Sequence, residues 1–202
     1  TSPLSKTVVI WVMVGLVLLT LSAPTVVVLG ASFTSGNIIT FPPDGFSLQW
    51  YGKIASDVGL RGAFMRSLTV SAICTAIAIP VGTLAGLALA KYAIKFERSL
   101  QVYLLLPFTI PLIGSGIGLM LFFGQAGILG QIWPIGIACC VINLPFMIWA
   151  VASSASSLDP DLELAAANCG AGPVQVFCLV TLPAVMPGII TGSLLMFILA
   201  LN

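Results

Sequence analysis

The sequence predicts an all-α, multi-pass membrane protein, on three observations. The 202 residues are 59% apolar and only 6% charged, with no histidine, whereas soluble domains carry roughly 25% charged residues. The charges are clustered, leaving residues 7–43, 67–90, 99–158 and 164–202 without any. A membrane-spanning helix needs about 20 apolar residues, so the 60 residues 99–158 have room for two spans and a turn.

The first predicted span is 8–29. Its 22 residues exceed the roughly 7–15 of a signal-peptide core, and several further apolar runs follow. Pro24 lies inside it and is tolerable where neighbouring helices satisfy the freed carbonyl. Residues 30–66 form a polar external loop rich in turn formers over 40–46. Phe46, Trp50 and Tyr51 suit a membrane interface, and a short interfacial helix is expected near 48–55. The second span is 67–90, where Gly82 and Gly86 form a close-packing pair for helices in lipid. A charged loop, 91–98, leads to a third span, 100–123, which Pro107, Pro111 and three glycines should kink. A tight turn over 124–131 precedes the fourth span, 132–151, with Asn143 as its one strongly polar interior residue. A fifth span, 184–201, follows the segment 153–183.

Several function classes lose support at this level. A net charge of +1 offers no basic footprint for nucleic acid. Cys74, Cys139, Cys140, Cys169 and Cys178 form no CxxC pair, and without histidine a metal site has little to build on; they read as inert packing residues. No G-x-x-x-x-G-K-[ST] loop is present, so the chain is not expected to be an enzyme or to bind a cofactor. A secondary transporter or channel is a rival class, but the spans hold no ionisable residue for coupling or selectivity. A non-transporting scaffold is another, and it leaves segment 153–183 without a purpose.

Within that segment, Asp159 is a good N-cap and Pro160 a good first helical residue. Asp161 and Glu163 favour the positive end of the helix dipole, and Gly170 is a natural stop. The result is a helix of about ten residues with Leu162, Ala165, Ala166 and Cys169 on one face. A second short helix starts at Gly172-Pro173, and Leu182-Pro183 and Pro187-Gly188 are expected to break the chain before the fifth span. Lipid-surface helices usually carry Lys or Arg on the polar face. This one carries three acids, which points to a protein partner.

The run Glu163-Leu-Ala-Ala-Ala-Asn-Cys-Gly170-Ala171, followed by Phe177, Val180, Leu182-Pro183 and Pro187-Gly188, resembles the EAA loop of ABC importer permeases. That pattern is Glu-Ala-Ala, three residues, Gly, nine residues, Ile, one residue, Leu-Pro. Its alanines fall on Ala165 and Ala166 and its glycine on Gly170; Leu164 stands where the motif has Glu. The stretches 41–51, 104–111 and 118–124 are similar to the spermidine/putrescine branch. The resemblance implies a type I (MetI-like) permease fold in one domain over 1–202, with five spans present and a sixth expected beyond the sequence given.

It further implies a bacterial inner-membrane location, a second homologous permease, a cytoplasmic ATPase dimer that binds the ATP and Mg, and an external solute-binding protein. Residues 91–98 and 153–183 would then be cytoplasmic and 30–66 external. ATPase coupling would involve Leu162, Glu163, Ala165, Ala166, Cys169, Gly170, Ala171, Phe177, Leu182 and Pro183. Ser115, Met120, Asn143 and Ser193 are candidates to line the solute pathway. The branch suggests a polyamine as cargo, with an opine, an amino-acid-like solute or iron as alternatives.

Overall fold

A computed structural model describes residues 3–36, 45–92, 97–109 and 112–201. Most of the turn-former cluster, half of the charged 91–98 loop and Pro111 are therefore outside the described residues. The described residues are helical throughout, apart from turns and one isolated antiparallel bridge between Thr34 and Phe46. In chain order the helices are α1 (Pro3–Ser32), α2 (Gln49–Ser56), α3 (Val58–Lys91), α4 (Glu97–Thr109), α5 (Leu112–Gln125), α6 (Trp133–Ser156), α7 (Pro160–Asn168), α8 (Pro173–Val176), a π-helical turn (Phe177–Thr181) and α9 (Leu182–Leu201). The chain divides into two compact units, Thr1–Gly62 and Ala63–Asn202.

In the first unit, α1 is apolar on all sides, and its side chains from Thr7 to Leu29 are exposed. A helix of this kind is at home in lipid. The chain beyond it folds back through polar contacts. Trp50 Nε1 donates to the Thr34 carbonyl at 3.0 Å, Gln49 Nε2 donates to the Ser35 carbonyl at 2.7 Å, and the Tyr51 and Ser32 hydroxyls share a hydrogen bond. The short helix expected near 48–55 is α2. The Asp57 carboxylate accepts from the Leu60 amide at 2.9 Å, capping α3, which starts nine residues before the predicted second span.

In the second unit, α6 lies between α3 and α9. The buried residues are spaced mostly in fours: Cys74 and Ala78 on α3, Met147, Val151 and Ala155 on α6, and Val185, Ile189, Met196 and Ala200 on α9. Lipid tails are as apolar as these side chains, so close packing and not water exclusion holds such helices together. Glycines make the approach possible. A Cβ at Gly86 would sit 2.8 Å from the Ile148 carbonyl oxygen, and one at Gly188 would sit 2.6 Å from the Ala150 carbonyl oxygen. Met147 fills the space between Gly82 of α3 and Gly192 of α9.

The predicted third span is helical on either side of residues 110–111, as α4 and α5, and among the described residues four other helical segments are long and apolar enough to cross a membrane. One expectation is modified. The breaks expected at Leu182-Pro183 and Pro187-Gly188 do not occur, since the helix runs unbroken from Pro173 to Leu201. The π turn explains the first: the Leu182 amide bonds the Phe177 carbonyl, one residue further back than in an α-helix. Proline at 183 and 187 then removes donors that a packed membrane helix tolerates losing.

Candidate functional site

The segment between α6 and α9 is built by local rules. Asp159 takes an extended conformation and its Oδ1 accepts from the Asp161 amide at 3.0 Å, so α7 starts where an N-cap followed by proline predicts. Its end is a Schellman motif. Gly170 has φ of 89°, its amide donates to the Ala167 carbonyl at 3.0 Å, and the Ala171 amide donates to the Ala166 carbonyl at 3.1 Å. No atom lies within 4 Å of a Cβ built at Gly170, so glycine is needed there for its backbone freedom alone. Gln175 Oε1 accepts from the Gly172 amide at 2.9 Å and starts the next helix.

The exposure pattern of α7 assigns its faces. Asp161, Leu162, Leu164, Ala165, Asn168 and Cys169 are exposed, Leu162 at 54% and Leu164 at 61%. Glu163 and Ala166 are half-buried. The ridge expected from helical spacing is exposed at Leu162, Ala165 and Cys169 and half-buried at Ala166, and Leu164 is exposed about 200° around the helix from Leu162. Ala171 is half-buried, Phe177 and Leu182 pack against the buried core of α3, α6 and α9, and Pro183 is exposed.

Glu163 has partners that the sequence did not reveal. Lys91 Nζ at the end of α3 and the Thr181 hydroxyl at the end of the π turn both donate to Glu163 Oε1. The Lys91 ammonium first, and the Thr181 hydroxyl second, hold the Glu163 carboxyl below the usual carboxylate range. Lys91 is 72 residues away in sequence. A basic residue ending a long apolar run was the only available signal, and it has no preferred partner.

The proposed pathway residues are not gathered in one place. Met120 lines an apolar cavity of about 300 Å³ with Gly116, Leu119, Phe123, Ile135 and Ile142. Ser115 is half-buried on α5 and is not in that lining. Asn143 Nδ2 donates to the Cys139 carbonyl at 3.0 Å and the Ser193 hydroxyl donates to the Ile189 carbonyl at 2.6 Å, so each bonds within its own helix. Among the described residues, no three potential metal ligands come together.

Comparison with known proteins places these features in a class. The family described as binding-protein-dependent transport system inner membrane component matches residues 78–202, and the chain belongs to it. It is therefore a permease component of an ABC importer, residing in an inner membrane. Among its relatives is the putrescine transport system permease protein PotI of Escherichia coli K12, 31% identical over 191 residues, which cover 90% of this chain and 67% of PotI. The spermidine/putrescine transport system permease protein PotB of Salmonella typhi is 29% identical over 214 aligned residues, covering 98% of this chain and 74% of PotB. The molybdenum transport system permease protein ModB of Mycobacterium tuberculosis H37Rv is 30% identical over 147 residues, covering 67% of this chain and 56% of ModB.

Proposed function

We propose that this chain forms part of a polyamine pathway and takes its drive from a cytoplasmic ATPase docked on α7. The observation that carries this reading is the exposed Leu162, on one face with the exposed Ala165 and Cys169, on a helix fixed at both ends by its own caps and lying outside the long apolar helices. An isolated nine-residue helix is marginal in water. Covering a leucine is worth about 1.5–3 kcal/mol, so a partner's groove over this face would gain from both. Ala165 and Cys169 complete the contact surface, where small side chains allow close approach.

Glu163, Ala166 and Ala171 are half-buried beside this face, and Gly170 ends the helix. Phe177, Leu182 and Pro183 join it to α9. ATP and Mg bind to the ATPase dimer, a second homologous permease completes the pathway, and an external solute-binding protein delivers the cargo. Met120 and Ser115 on α5, with Asn143 and Ser193, are the candidates to line the route.

The cargo reading rests on PotI and PotB, whose names specify putrescine and spermidine. The likeness to ModB brings an oxyanion into the same test. The spans contain no Asp or Glu, so cation recognition within this chain would rely on carbonyls, hydroxyls and aromatic rings. Proteoliposomes carrying the complete transporter should take up labelled putrescine or spermidine with ATP inside and leave molybdate outside. Molybdate uptake without polyamine uptake would overturn the cargo assignment. Loss of ATPase copurification in Leu162→Asp/Leu164→Asp is expected on the docking side, and full retention would overturn α7 as the contact.

A further inference from the structure

Glu163 occupies a different position from the other acids of α7. Asp159 caps the helix and Asp161 is exposed, whereas Glu163 faces the body of the protein and accepts from Lys91 and Thr181 through the same Oε1. The three side chains come from three elements: the last residue of α3, the first turn of α7, and the last residue of the π turn that continues into α9. Thr181 is 2% exposed, so little water can replace the carboxylate as its acceptor. The side chains of Lys91 and Glu163 are 32% and 25% exposed, which leaves the ion pair only partly screened. Hydrogen bonds to a charged carboxylate are shorter and roughly twice as strong as neutral ones. The two flanking leucines are exposed while Glu163 between them is half-buried, so the contact surface and the anchor use different side chains of one helix.

We propose that Glu163 is a positioning residue that ties α7 to the ends of both α3 and α9, so that a displacement of α7 is delivered to both helices while the ATPase is held by other residues. This rests on the reading of α7 as the ATPase contact. Without the carboxylate, Lys91 loses its counter-charge, the Thr181 hydroxyl loses its acceptor, and α7 keeps only its caps and chain connections. The ATPase would still find its leucines, but its motion would be absorbed by a loose helix. The departure at Leu164 fits this division: the outward position is apolar and the carboxylate next to it is used internally.

The test uses the complete transporter in proteoliposomes, with two readouts that do not depend on the cargo: retention of the ATPase during purification, and stimulation of ATP hydrolysis by the binding protein. Glu163→Gln and Lys91→Met are expected to retain the ATPase within about twofold of wild type and to lose at least fivefold of the stimulation. Lys91→Glu and Glu163→Lys should each fail alone, and the double swap should recover at least half of the stimulation, which a general loss of folding could not do. Thr181→Ser should behave as wild type and Thr181→Val should fall between.

Three results would overturn the proposal: loss of the ATPase in Glu163→Gln to the extent seen in Leu164→Asp, undiminished stimulation in Glu163→Gln, or a swap no better than its single variants. Retention of the ATPase in Leu164→Asp would instead count against the docking reading and can be told apart from all three.

Discussion

Replacing Gly170 by valine tests how α7 is held, and its size can be worked from the local geometry. The residue sits at φ of 89° with open space around the position of a Cβ, so the penalty is conformational and not steric. A left-handed conformation costs an L-residue about 1–2 kcal/mol, with a β-branched side chain at the upper end. Escape from that conformation breaks the two bonds that end the helix, each worth about 1 kcal/mol net. Either way the cost is about 2 kcal/mol, or roughly a thirtyfold shift toward a misdirected loop. Asparagine tolerates this region better, and about 1 kcal/mol, roughly fivefold, is expected for it.

Amide hydrogen exchange reads the effect directly, because the donors of the two bonds are the amides of residue 170 and Ala171. Exchange there should rise in the order wild type, Gly170→Asn, Gly170→Val, with the amides of α6 unchanged. Valine exchanging like glycine, or asparagine no better than valine, would refute the assignment of Gly170 as a conformational stop.

Three further outcomes are expected. Glu163 is held below the usual carboxylate range by Lys91 and Thr181, so its contribution to anchoring α7 is present above the ordinary carboxylate pKa and is lost as pH falls through the depressed one; protection of α7 amides should hold from pH 7 to about 5 and fall in stronger acid, and Glu163→Gln should flatten that profile. Gly188→Ala meets the backbone carbonyl of Ala150, whereas Gly192→Ala meets first the flexible end of Met147, 2.5 Å from the new Cβ; overpacking costs about 1–3 kcal/mol, and Gly188→Ala should lie at the upper end and Gly192→Ala at the lower in detergent unfolding. A membrane-impermeant thiol reagent applied outside should label Ser47→Cys and spare Ser157→Cys, and the reverse pattern would contradict the proposed topology.

What the sequence made legible was local. Asp159, Pro160 and Gly170 bounded α7 because caps act within one turn of the chain, and charge-free runs marked the apolar helices because lipid penalises charge wherever it falls. The direction in which α7 points was not legible. Leu162, Ala165, Ala166 and Cys169 do share a helical face, but inward orientation is set by Lys91 and Thr181, which reach Glu163 from other elements. The helix through Pro183 and Pro187 was misread because a π turn shifts the hydrogen-bond register, and proline in the sequence does not distinguish a break from a register shift. Met147 gave no sign of its place between Gly82 and Gly192, since glycine spacing shows that a neighbour comes close but not which one.

The most direct test of α7 as the ATPase contact uses Cys169, exposed at the end of the helix beside the outward face. A variant keeping Cys169 as its only exposed thiol, with Cys178→Ser, is labelled from the cytoplasmic side with and without the ATPase bound. Labelling of Cys169 should fall at least tenfold in the complex and return when the ATPase is stripped away. Equal labelling of Cys169 in the free and complexed permease would contradict docking on this face.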